Sequence, residues 1–448
     1  MDQARQRRRS LYVLAFALAW LAPALGTAQT PALCGSGAPE SWLTACGGII
    51  DNPRESVANR VRALKFRGLA NYRVGDIARA TADFTEATRL APDDAEAWGN
   101  LGMMRQTRGD LDGAIADYDK AIALDPSSWT AHVNRGNALR LKRDPAGAIA
   151  EYDLALGLKP DLGSALRGRA AARAMRGDLK GAVADATAAL RLDPRDVEAL
   201  VGRGSAFRLL GDADKALADY EEATRVAPDH AGAWLDRGAV LMQKGGLAEA
   251  IASFDKTIAI NPRSVEAYNN RGAAQSQNGD FARAAADLDT ALRLGPNSAE
   301  AFGNRAFVRL ALGDFAGAAA DFSELAQRDP ADPYRVLWRH LARMRAGFAD
   351  DGFAREAAAF APDPWPGPLL ALYAGSLERE KVLEQALPAE PAERLERRCE
   401  TAFYVGEYAL TRSDRAGAAA LIREAAETCP IGFLERAAAI GELKRLQP

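Results

Sequence analysis

Histidine is almost missing from this chain of 448 residues, with only His132, His230 and His340, scattered and never paired at metal-ligand spacing. That scarcity leaves few candidates for imidazole acid–base or metal chemistry. Cysteine is also sparse, and the four present lack the close doublets of a zinc site. No G-x-x-x-x-G-K-[ST] phosphate loop occurs, and Gly202-Arg203-Gly204-Ser205, the nearest approach to a nucleophile elbow, falls mid-helix in a repeat. Long apolar runs are lacking too. The one candidate, Leu11–Leu25, is short of the roughly 20 residues a membrane-crossing helix needs. These absences argue against an enzyme, a bound metal or a cofactor.

What the chain has instead is repetition. From Val61 to Asp332 a 34-residue unit recurs eight times without insertion or deletion. Its eighth place is small (Gly68, Gly102, Gly136, Ala170, Gly204, Gly238, Gly272, Ala306), its twentieth is alanine and its thirty-second is proline. The twenty-fourth is large in seven copies, as at Phe84, Tyr118 and Tyr152. Small residues let two helices approach, the large side chain fills the gap, and proline blocks extension of the second helix. Gly-Asp pairs such as Gly75-Asp76 and Gly313-Asp314 supply a left-handed stop and then a helix cap.

This skeleton resembles the tetratricopeptide repeat (TPR). The expected fold is therefore all-α, an α–α superhelical solenoid of TPR hairpins. A degenerate ninth copy is readable through Cys399, Ala402, Gly406, Ser413, Ala418, Ala425 and Pro430. The expected organisation is a signal peptide at 1–28, a cap segment at 29–60 and eight repeats at 61–332. A degenerate helical region follows at 333–398, then the ninth copy with a C-terminal capping helix at 399–448.

The two ends speak to compartment. Arg5, Arg7, Arg8 and Arg9 precede the apolar run, and Gly26-Thr27-Ala28 is a small-x-small cleavage pattern. Cleavage near Ala28 removes four arginines and one aspartate, taking the formal charge from −3 to −6. The mature chain is mildly acidic, which argues against nucleic acid or anionic lipid as partner. Leu43-Thr44-Ala45-Cys46 matches a lipobox by letter but lies about twenty residues beyond the apolar run, so acylation is not expected. A periplasmic or secreted protein with an even cysteine set invites disulfides. Cys399 and Cys429 fall at ends that an antiparallel helix pair brings together, and Cys34 and Cys46 would close a short loop ahead of the first repeat.

In six repeats an arginine at the seventh place accompanies an acid at the twenty-third, from Arg67/Asp83 to Arg305/Asp321. An interhelical bridge is expected rather than an anion-binding stripe.

The TPR resemblance further implies that first-helix residues line an inner, partner-binding face. Its sixth place carries Phe66, Asn100, Asn134, Gly168, Gly202, Asp236, Asn270 and Asn304. An asparagine amide donates and accepts together, matching the backbone of an extended peptide. The ladder Asn100, Asn134, Asn270 and Asn304, with Phe66, Tyr72 and Met103, is thus the expected peptide-binding surface. The gap at Gly168, Gly202 and Asp236 suggests two half-sites or one near the N-terminal half. Val133, Leu141, Met175, Leu209, Leu235, Met242, Phe307 and Leu310 surround it, Leu141 being assignable to packing between repeats instead. Lys65 matches the first basic place of the carboxylate clamp used for acidic tails, but Leu69 stands where that clamp has asparagine.

Arg335–Ala342, Trp365–Pro368 with Leu372–Gly375, Glu400–Leu410 and Phe433–Glu435 resemble the NlpI group of bacterial envelope TPR proteins. That resemblance implies a periplasm-facing adaptor, often a homodimer, presenting clients to an envelope protease. The alternative is a structural assembly factor for an envelope, secretion or polysaccharide-export complex.

Overall fold

The computed structural model describes residues 34–35, 39–361, 363–386, 391–430 and 433–446. The leader with its cleavage pattern lies outside them. Every regular element among the described residues is a helix. The chain divides into two compact units, Met1–Lys215 and Ala216–Pro448.

The N-terminal unit begins with α1 (Pro39–Ile50), fastened by the Cys34–Cys46 disulfide. Hairpins follow as α2 (Val57–Arg73) with α3 (Ile77–Leu90), and α4 (Ala95–Thr107) with α5 (Leu111–Leu124). Then come α6 (Trp129–Leu141) with α7 (Pro145–Leu158), α8 (Gly163–Met175) with α9 (Leu179–Leu192), and α10 (Val197–Leu209). The eighth-place glycines are where paired helices touch. A Cβ on Gly68, Gly102 or Gly136 would stand 2.7–2.9 Å from Phe84, Tyr118 or Tyr152. The turns repeat one geometry. Gly75, Gly109, Gly177 and Gly211 take φ between 81° and 86°, and the following aspartate's carboxylate accepts a backbone N–H, as Asp76 does from Arg79 and Asp178 from Gly181. In the third repeat Arg143 occupies that left-handed place, at φ 61°. The unit is capped by Trp42, edge-on to Phe66 at 5.7 Å, with the Arg73 guanidinium over the indole.

The C-terminal unit continues the pattern. Its division from the first falls within α11 (Ala213–Val226), and α12 (Ala231–Gln243) pairs with α13 (Leu247–Ile260). Next come α14 (Val265–Gln277) with α15 (Phe281–Leu294), and α16 (Ala299–Leu312) with α17 (Phe315–Arg328). The next helix, α18 (Pro333–Arg345), stays in phase and packs on α17 as another first helix would. Beyond it the period is lost in α19 (Phe353–Ala357), α20 (Gly367–Tyr373) and α21 (Arg379–Gln385). The ninth hairpin is α22 (Pro391–Thr411) with α23 (Arg415–Thr428), and α24 (Leu434–Leu446) returns to lie on α16. Cys399 and Cys429 are bonded, although Cys399 sits two turns inside α22 because that helix starts at Pro391.

The aromatic-rich stretches outside the regular repeats converge here on one core. Trp338 is ringed by Phe307, Phe322, Phe403 and Tyr404 at 4.7–5.7 Å. Trp365 Nε1 and the Tyr334 hydroxyl both donate to Glu400, at 2.6 and 2.8 Å, and Tyr373 donates to the Tyr404 carbonyl. Arg345 joins α18 to Glu407 of α22 and Glu442 of α24, at 2.5 and 2.8 Å. These residues are unusual for the repeat because they replace a neighbouring hairpin with a closing module.

Candidate protein-binding surface

In each unit the first helices form an inner layer, since successive ones (α4, α6, α8, α10; α12, α14, α16) lie against one another more closely than the second helices do. The residues that face this layer are fixed by the repeat phase. Asn100 and Asn134 stand on α4 and α6, both half-buried. Asn100 Nδ2 is buried without a hydrogen-bond partner among the described residues. The Asn134 amide likewise makes no hydrogen bond within them. Tyr72 and Met103 are half-buried beside Leu69, Phe84 and Leu101, and burial raises the Tyr72 phenol's pKa, keeping it a donor. Phe66 is engaged elsewhere, against Trp42 and Gly35 of the cap.

In the C-terminal unit the asparagines are tied together. Asn304 Nδ2 donates to Asn269 Oδ1 at 2.9 Å, and Asn269 Nδ2 to Asn270 Oδ1 at 3.3 Å. The two ends of the ladder therefore differ: one has unmet donors, the other an internal chain of amides.

The gap in the ladder has a steric cause at one of its members. A Cβ on Gly168 would lie 2.5 Å from Tyr152 Cζ and 2.8 Å from its hydroxyl, which donates to Asn137. Gly202 has no such neighbour, and nothing lies within 4 Å of its Cβ position. The apolar residues once grouped around the ladder also separate. Val133, Phe307 and Leu310 are buried, whereas Leu141, Met175 and Leu209 are exposed. Leu141 is the last residue of α6 and half exposed.

The recurrent arginines are architectural. Arg169 grips Asp185 of its own hairpin through Nε and Nη2, at 2.8 and 2.6 Å, and reaches back to Asp153 of the preceding repeat at 2.6 Å. Arg271 and Arg305 make the same double reach, to Asp255 and Asp289, while Arg135 stands between Glu151 and Asp119 at 3.3 and 3.0 Å with its Nε making no hydrogen bond among the described residues. Each ties two consecutive repeats through one guanidinium fork. In the second repeat the seventh place is Leu101, and Asp117 is left with Arg105 alone at 2.8 Å and an unpartnered Oδ2. Burial pushes its carboxyl up to about 6 despite that arginine. Two inner-face cations are neutralised: Lys65 by Asp94 and Glu96, Arg167 by Asp196. An acidic tail would find no free clamp there.

Comparison with known proteins follows from this geometry. The family model described as tetratricopeptide repeat matches residues 67–128, 105–162, 166–224, 210–265 and 269–333, more than half of the chain. A tetratricopeptide repeat protein from Parabacteroides merdae is 20% identical over 55% of this chain and 97% of its own, with a TM-score of 0.45. Pseudomonas aeruginosa pilF is 20% identical over 47% and 96%, with a TM-score of 0.44. YrrB, titled a TPR protein with an unusual peptide-binding site, is 28% identical over 41% and 95%, with a TM-score of 0.34.

Proposed function

The chain belongs to the tetratricopeptide repeat family, and from that premise we propose that it is a non-catalytic adaptor holding a protein or peptide segment on the inner helices of its N-terminal repeats, in the bacterial periplasm. The observation that carries the reading is the buried, unmet Nδ2 of Asn100, one repeat from the free amide of Asn134. A buried donor without a partner costs about 1–3 kcal/mol. With the Asn100 amide turned outward from its buried position, the carbonyls of an extended segment running across α4 and α6 would meet both amides, with Tyr72 and Met103 flanking it. Asn270 and Asn304 form the lesser half-site, because both are already tied to the Asn269 amide. Two disulfides and an Arg-led apolar leader support export.

The finer reading is a client-presenting role of the NlpI kind, with a homodimer as its assembly. Its rival is a scaffold for an envelope or secretion complex. Crosslinking in periplasm followed by mass spectrometry separates them: proteases and cell-wall hydrolases support the former, export components the latter. Asn100→Ala with Asn134→Ala should abolish capture of the crosslinked segment without lowering Tm, since the unmet Asn100 donor is removed with it. Undiminished capture by that double variant removes the asparagine site.

A further inference from the structure

One row of apolar side chains in the N-terminal unit is left unused by the asparagine site. Leu141, Met175 and Leu209 hold the thirteenth place of the third, fourth and fifth repeats, and they are 50%, 44% and 59% exposed. A single surface leucine needs no explanation. Three at one place of consecutive repeats form a ridge, because the same displacement carries each repeat onto the next. Beside that ridge the inner face loses its bulk. The sixth place is Gly168 and then Gly202, and the ninth is Ala171 and then Ser205. Small residues thus stand about one and two turns before Met175 and Leu209 on α8 and α10.

The rim is cationic. Arg143, Arg176 and Arg208 have no acidic or hydrogen-bonding partner among the described residues. The acids nearby are engaged: Asp144 and Asp178 accept from the backbone of Gly147 and Gly181, and Asp212 pairs with Lys215. Cations favour helix C-termini in any case, but here they border exposed leucine and methionine.

The eighth repeat, in the other unit, shows what this place accepts. Its thirteenth residue is Ala311, and α24 lies directly on it. A Cβ on Gly441 would stand 2.6 Å from Ala311 Cα, and Arg445 Nη1 donates to the Ala311 carbonyl at 2.6 Å. The end of a first helix, at this register, is a seat for the flank of another helix.

We propose that the third to fifth repeats dock an acidic amphipathic helix of a partner protein across the ends of α6, α8 and α10. Its apolar stripe rests on Leu141, Met175 and Leu209, and its carboxylates face Arg143, Arg176 and Arg208. The site is separate from the asparagine pair, so each stands or falls alone.

The probe is a fluorescein-labelled designed peptide with leucine and alanine on one helical face and glutamate on the other, titrated by anisotropy into the full mature chain. The controls replace glutamate with lysine, or insert a central proline. Binding of the acidic helix at least about tenfold tighter than both controls is expected. Leu141→Ser with Leu209→Ser should weaken it at least about tenfold without lowering Tm, since both side chains are exposed. Arg176→Glu should weaken it and flatten its salt dependence. Asn100→Ala with Asn134→Ala should leave it unchanged. Equal binding of the lysine peptide, indifference to the leucine substitutions, or no binding of the acidic helix overturns the proposal. So does self-association of the chain, by sedimentation, that the leucine substitutions abolish, because the ridge then serves a second copy.

Discussion

Gly168 and Gly202 occupy the same place in adjacent repeats and should respond oppositely to one methyl group. At Gly168 the added Cβ meets the Tyr152 ring at 2.5 Å, so Gly168→Ala is expected to cost about 1–3 kcal/mol. At Gly202 it meets nothing within 4 Å, and alanine in that helix interior should stabilise by about 0.5–1 kcal/mol. Chemical denaturation of the two variants settles both signs. Ser413, at φ 63°, offers a third case: glycine there relieves a left-handed residue, and Ser413→Gly should raise stability by about 0.5–1 kcal/mol. Asp117 adds a pH dependence. Its carboxyl titrates near 6 when folded, above the usual 3.8, so the folded state holds the extra proton. Its contribution is therefore fully present below about pH 4 and lost as pH rises through about 6. Asp117→Asn should flatten the stability profile across that window and leave the variant the more stable at pH 7.

The disulfides act on whole elements. Cys34–Cys46 closes 12 residues and Cys399–Cys429 closes 30, so the chain-entropy model assigns about 3 and about 3.5 kcal/mol. Replacing Cys399 and Cys429 by serine should cost the more, and hydrogen exchange should place the loss in α22 to α24 rather than in the regular hairpins. The hairpins themselves were readable from the chain because their determinants are local: a small residue, an aromatic sixteen places on, a glycine turn, a proline. The closing module was less so. That Trp338, Trp365 and Tyr404 belong to one core depends on contacts across 66 residues, such as Tyr334 with Glu400, which no period announces. The division of the inner face was equally hidden. Leu141 and Val133 look alike in sequence, yet about two turns along the same helix separate an exposed side chain from a buried one.

At the scale of the molecule, export predicts a mature chain that begins after Ala28 with all four cysteines oxidised. Intact mass of protein recovered from periplasm, with and without reductant and alkylation, tests both at once. Among the described residues no helix is long and apolar enough to cross a membrane. Several second helices are tied to the next repeat by an arginine, whereas at the junction of the first and second repeats Leu101 holds that place and Lys65, paired with Asp94 and Glu96, makes the tie instead. The two termini have a different meaning. A stack of identical hairpins ends in a raw apolar face that another stack could extend. Here one end is sealed by Trp42 and a bonded α1, the other by α22 to α24 folding back on α16. With both ends finished in dissimilar material, a new hairpin has nowhere to attach outside. Room for a further hairpin lies between the two seals, where the 34-residue phase runs unbroken.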